Sequence, residues 1–147
     1  MPRVWIRPAL YAVCGAVLAA VLFSRGDPGA AVAPLLVFPA LAVLNSPLPF
    51  PRSIGALEAR RRSAADGRPI VYWRPGCVHC LRLRVRLGRR ARAAHWVDIR
   101  RDPAGAAAVR AAADGNETVP TVVLAERSYV NPDPGWVRGL LPPPGRR

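Results

Sequence analysis

Lysine is absent from this chain: all 22 basic residues are arginine, set against nine acidic residues for a net charge of +13 over 147 residues. An all-arginine complement beside abundant Ala, Pro and Gly reads as the product of a GC-rich genome, so charge alone is no argument for a nucleic-acid surface. No aromatic-interleaved basic stripe or nucleic-acid motif accompanies it, which argues against that partner. Cysteine is scarce as well, with three in the chain, and this excludes a disulfide-framework fold.

Charge is scarcest near the amino end. Residues 1–50 hold three Arg and one Asp, a balance of +2, which leaves nineteen Arg and eight acids, +11, for residues 51–147. Pro8 to Ser24 is seventeen residues without a charge, about 26 Å as a helix and just enough to span a bilayer core. A tight turn at Arg25 to Gly29 follows, and Pro28 to Pro51 gives twenty-four more uncharged residues. Pro34 and Pro39 would kink that second run, which membrane helices tolerate. The expectation is a two-helix transmembrane hairpin within residues 1–51, with helices over 8–24 and 28–50. A secretory signal peptide is the other reading, but proline follows the Ala-Val-Ala that resembles a cleavage site. Arg3 and Arg7 precede the hairpin and Arg52 and Arg60 to Arg62 follow it, so positive-inside counting puts both ends in the cytoplasm. Residues 52–68 read as a juxtamembrane linker helix capped by Ser53 and ended by Gly67, either resting on anionic membrane lipid or simply solvated.

The chemistry sits in Tyr72-Trp73-Arg74-Pro75-Gly76-Cys77-Val78-His79-Cys80, where an apolar run breaks at Pro-Gly and opens into Cys-x-x-Cys. Two cysteines three positions apart face one side of a helical turn, so their sulfurs can close into a disulfide and reopen. If a helix begins at Cys77, its amides and dipole favour the thiolate, with Arg74 and His79 adding positive charge; Cys77 is then the nucleophile and the more buried Cys80 the resolving thiol. Zinc is the competing use of Cys-x-x-Cys, but a tetrahedral site would have to recruit His79, His95 or the distant Cys14, so no metal is expected. A structural disulfide would close too short a loop to constrain the unfolded chain much.

From residue 69 the pattern alternates strand and helix. Pro69 to Trp73 is a buried strand. Cys77 to about Ala94 is assigned as a helix despite the period-two run Leu81 to Leu87, because Val78, Leu81 and Val85 share one helical face and Leu83 and Leu87 another. His95 to Ile99 is a second strand, and Asp102-Pro103 caps an alanine-rich helix. Thr121 to Leu124 and Ser128 to Val130 form two strands about the Ala125-Glu126-Arg127 turn, and Asn131-Pro132 caps a last helix through Leu141 before a frayed tail over 142–147.

This order, with Cys-x-x-Cys at the first strand-to-helix turn and Thr118-Val119-Pro120 about forty residues later, resembles the thioredoxin fold in its glutaredoxin form. The segments CLRLR, GNETVPTV and VNP resemble the mycoredoxins more narrowly. The resemblance covers about 69–141 and implies an α/β domain with a mixed four-stranded sheet. Carried over position by position, it makes Cys77 the attacking and Cys80 the resolving thiol, and Val119 a backbone contact to the bound thiol with Thr118 and Pro120 at the edge of the site. Asn131 falls where polar parts of the small thiol are held, and Tyr72 matches a site aromatic, although plain core packing explains it equally. Gly76 and His79 depart from the family pattern; a histidine there is a feature of strongly oxidising relatives.

The implied function is a membrane-tethered, cytoplasm-facing thiol-disulfide oxidoreductase acting on mixed disulfides between proteins and a low-molecular-weight thiol, mycothiol or else glutathione, as co-substrate and without a bound cofactor. An exported dithiol oxidase, a thioredoxin-like disulfide reductase and a non-catalytic membrane adaptor are the alternatives.

Overall fold

The computed structural model describes residues 5–143, so Arg3 and the end of the tail from residue 144 lie outside the described residues. The described residues divide into two compact units, one up to Pro49 and one from Phe50.

The first unit is a helical hairpin. Helix α1 spans Ile6–Ser24 and α2 spans Pro28–Leu44. Asp27 closes the turn by accepting the Ala30 N–H at 2.9 Å, and Pro28 follows at a position where no helical N–H is needed. Small residues let the helices touch: a Cβ on Gly15 would lie 2.5 Å from the Phe38 Cβ. Large apolar side chains such as Leu10, Phe23 and Leu36 stay exposed. At 19 residues, α1 is long and apolar enough to cross a membrane. Apolar as it is, α2 is 17 residues long and ends at Leu44, short of the expected residue 50.

The second unit carries a four-stranded sheet of β1 (Ile70–Trp73), β2 (His95–Asp98), β3 (Thr121–Leu124) and β4 (Arg127–Val130) in the order β2-β1-β3-β4. Strands β1 and β2 are parallel, and β3 runs antiparallel to both β1 and β4. All four residues of β1 are buried, as expected for a central strand covered on both faces. Alternation sends Ile70 and Tyr72 to one face and Val71 and Trp73 to the other.

The helices are α3 (Ala56–Asp66), α4 (Val78–Leu87), α5 (Pro103–Ala112) and α6 (Pro134–Leu140). The period-two run Leu81 to Leu87 is indeed helical. Its core face is Cys80, Leu83 and Leu87, whereas Val78 and Val85 are exposed and Leu81 is half-buried, so the second apolar face packs only in part. The helix is shorter than expected, because Gly88 turns away at φ 54° and residues 88–93 form a 3-10 segment.

Helix α3 belongs to this unit rather than to a linker. Ala56 and Ala59 are buried in the core, and Phe50 stacks on Trp73 with ring centroids 3.8 Å apart. The helix is capped from afar: one oxygen of Asp102 accepts the Ala56 N–H at 2.6 Å while the other caps α5 through Gly105 at 2.9 Å. Ser53, expected as the cap, instead accepts the Trp73 indole N–H at 2.9 Å. Gly67 does end the helix, in the left-handed conformation.

The β3–β4 turn is two residues long, with Leu124 paired to Arg127 and both Ala125 (φ 48°) and Glu126 (φ 64°) left-handed. Neither is a residue that adopts this geometry cheaply. Replacing them with Asn-Gly (Ala125→Asn, Glu126→Gly) should stabilise the domain by on the order of 1 kcal/mol and raise its melting temperature by roughly 4–8 °C, read by circular dichroism. A lower melting temperature would show that the strands are not joined this way.

Candidate active site

Strand β1 ends at Trp73, and a turn with Gly76 at φ 75° leads into α4. Cys77 is extended (φ −92°, ψ 113°) and stands at the N-cap, where its Sγ accepts the Cys80 N–H at 3.3 Å. A sulfur thus fills the place usually taken by a serine or aspartate oxygen, against free amides and the positive end of the helix dipole. Both cysteines are free thiols. Cys77 is half-buried and, when protonated, donates to the Val119 carbonyl at 3.4 Å; Cys80 is fully buried.

The two sulfurs are pulled apart in acidity. A hydrogen bond from the Cys80 thiol is the first cause that brings Cys77 down from an ordinary 9.0 to about 6; burial opposes it, while the Cys80 amide, the Arg74 charge and the His79 amide add to it. The same bond, together with burial, pushes the Cys80 thiol up. At neutral pH Cys77 is therefore the thiolate and Cys80 the proton-holding partner. The sign follows for the reduced protein: a depressed thiol contributes stability that is full above the unfolded value near 9.0 and is lost as pH falls through about 6.

The residues singled out in the sequence fall in two places. Val119 touches Cys77, and the Val119–Pro120 bond is cis. Thr118 is exposed, and its carbonyl accepts the Thr121 hydroxyl at 2.8 Å. Asn131, left-handed at φ 47°, donates its N–H to the Pro120 carbonyl at 2.8 Å, tying the start of the last segment to this proline. His79, Pro120 and Asn131 line a cleft of about 210 Å³ together with Arg82 and Asp133. The charge at Cys77 comes from Arg74, whereas His79 contributes through its main-chain N–H. Asn131 does not cap the last helix; Asp133 does, accepting the Trp136 N–H at 2.9 Å.

Tyr72 lies elsewhere. It is 1% exposed, its ring edge 3.5 Å from where a Gly105 Cβ would stand, and it borders a cleft of about 520 Å³ among residues of α3 and α5. Its period-two position sends it to the opposite sheet face from Trp73, so its setting is that of a core residue. His95, weighed as a zinc ligand, is buried against Asp66 with Nε2 and Oδ2 3.0 Å apart. Among the described residues no three His, Cys, Asp or Glu gather closely enough to hold a metal.

Asp98 escaped the sequence reading. It is 2% exposed at the end of β2 beside Trp73, and one carboxylate oxygen accepts the Arg100 N–H at 3.0 Å; burial pushes its carboxyl up. Its signal was a lone acid inside the apolar strand HWVDI. Arg82, which lines the cleft, also escaped notice because alternating arginines on a helix read as a solvated face.

Two free thiols of opposed acidity on one helical turn are chemically able to exchange with a disulfide. The glutaredoxin family model matches residues 70–129, from β1 into β4, in agreement with the mixed four-stranded sheet and its helices. No curated protein and no solved structure matches the chain.

Alkylation of the reduced protein by iodoacetamide should therefore rise with pH about a midpoint near 6, with Cys77 as the modified residue in a mass spectrum. Cys80→Ala removes the thiol that donates to Cys77 and should move that midpoint up. A midpoint of about 7 in place of about 6 would cut the thiolate fraction at pH 6 from about a half to about a tenth. An unmoved midpoint would assign the acidity to the helix start and Arg74 alone.

Proposed function

We propose that this chain is a membrane-tethered oxidoreductase that removes a low-molecular-weight thiol, mycothiol in the first place, from mixed disulfides on proteins. The observation that carries the reading is the asymmetry of the pair: a half-buried thiolate at a helix start beside a cleft, and a buried thiol behind it. The Cys77 thiolate attacks the small-thiol sulfur of the mixed disulfide; the protein sulfur leaves as a thiolate and takes up a proton. Cys77 now holds the small thiol in a disulfide. A second small-thiol anion attacks that bond, giving the oxidised small-thiol dimer and Cys77 thiolate. Alternatively Cys80, once deprotonated, displaces the small thiol and closes the Cys77–Cys80 disulfide. Two electrons pass to the substrate in either route, and no bound cofactor or metal takes part.

The backbone at Val119 and the Pro120–Asn131 hydrogen bond shape the wall against which the small thiol lies. Tethering rests on α1, long and apolar enough to cross a membrane, with α2 as its return. Arg7 before the hairpin and Arg52 and Arg60 to Arg62 after it, with Arg25 balanced by Asp27 in the turn, support a domain that faces the cytoplasm beside anionic lipid.

Cys77→Ser should abolish turnover, whereas Cys80→Ser should still clear a mycothiol mixed disulfide at a rate within about tenfold of the parent while losing reduction of an intramolecular protein disulfide. Loss of both reactions in Cys80→Ser would replace the monothiol route with a dithiol cycle. Topology is read separately: a fluorescent reporter fused after Arg147 should be bright and an alkaline phosphatase fused there inactive. The reverse pair would place the domain outside and favour the exported oxidase.

A further inference from the structure

Beyond the thiol cleft the surface turns strongly basic. Arg82 and Arg86 stand one turn apart on the exposed side of α4, and Arg138 faces them from α6. The three border a cleft of about 220 Å³ with Asp133, Pro134 and Gly135. None of the three guanidinium groups has an ion pair among the described residues. The single carboxylate in the cleft, Asp133, is engaged as the cap of α6. Three guanidinium charges against this one carboxylate leave the concavity with a net positive charge that attracts an anion.

This cleft shares Arg82, Asp133 and Pro134 with the one lined by His79, Pro120 and Asn131, so the two form one furrow between α4 and α6. Arg86 is nine residues beyond Cys77, about 13 Å along the helix at 1.5 Å per residue. An extended peptide covers that distance in about four residues. Mycothiol, the small thiol of the proposed reaction, carries no charge and supplies these arginines with no anion. The anion must then come from the protein half of the mixed disulfide.

We propose that the furrow docks an extended acidic segment of the substrate protein, with a carboxylate about four residues from the modified cysteine held by Arg82, Arg86 and Arg138. The proposal rests on the mixed-disulfide reading and names its protein substrate by chemistry. Arginine suits this task because its planar fork meets a carboxylate with two parallel hydrogen bonds. Exposed charges of this kind act through encounter and KM, and salt screens them.

The test uses the full chain and mycothiol mixed disulfides of nine-residue peptides with a central cysteine, bearing glutamate, glutamine or lysine four residues to either side. At low ionic strength the glutamate peptide should be preferred over the glutamine peptide by roughly tenfold in kcat/KM, chiefly through KM, and the preference should fade near 1 M salt. Arg86→Gln with Arg138→Gln should erase the glutamate-to-glutamine ratio, and Arg86→Glu with Arg138→Glu should invert it toward lysine. Ratios are taken within each variant, so a general loss of activity cannot imitate the result. Equal turnover of all three peptides by the parent would overturn the docking site while leaving the mixed-disulfide reading intact. No turnover of any of them would overturn both. If glutathione replaces mycothiol on the glutamine peptide and is removed faster, with that gain lost in the arginine variants, the anion belongs to the small thiol and the proposal fails.

Discussion

A sulfur atom serving as a helix cap is the constraint on which the site depends. Capping by Cys77 requires an extended backbone at that residue and a free Cys80 amide one turn on, and both follow from Pro75-Gly76 stopping the strand and α4 starting at Val78. The same geometry brings the Cys80 thiol within reach of the Cys77 sulfur, so one hydrogen bond lowers one thiol and raises the other. Exposure separates them further, since Cys77 is half-buried and Cys80 is fully buried. The helix must be held at a fixed height for this to work. Burial of Cys80, Leu83 and Leu87 against the sheet does that, and β1, buried along its whole length, leaves no slack in the strand that delivers Cys77.

Much of this was legible because short-range chemistry wrote it into the chain. Pro-Gly before Cys-x-x-Cys, Asp102-Pro103 at the start of α5 and Gly67 after α3 are local signals, and each element lies where its signal put it. The period-two run of α4 was overruled correctly, because a helix after β1 can bury Leu83 and Leu87 on one stripe and leave the arginines outside. What failed depended on partners distant in sequence. Ser53 has the chemistry of a cap, but the nearer need was the Trp73 indole, and Asp102, forty-six residues beyond Ala56, took the capping role. No window of local sequence contains that information.

The geometry of the candidate site was legible to the same degree and for the same reason. Cys77, Cys80, Val119, Pro120 and Asn131 converge because the antiparallel β3 returns beside β1, with Thr121 opposite Tyr72, just where the Val119–Pro120 segment passes Cys77. Tyr72 did not converge, and alternation explains it: Trp73 already faces Phe50 and Ser53, so its neighbour must face α5. The arginines of α4 were invisible as a site because their meaning comes from Arg138, fifty-two residues past Arg86, which supplies the opposite wall.

Charge then links the chemistry to its surroundings. Residues 51–147 carry nineteen arginines against eight acids, a positive field that favours any thiolate within it, but among the described residues the arginine charge that lowers the Cys77 thiol is that of Arg74. The rest of the field therefore bears on what approaches the thiolate rather than on making it. A thiolate made by a cap and a buried neighbour is insensitive to ionic strength, because those interactions are short and partly desolvated, whereas attraction of an acidic partner is screened within about 10 Å at 0.1 M salt. On the proposed docking, acidity and selection are built from different parts of the domain, and a change in the outer arginines would retune the partner without disarming the sulfur.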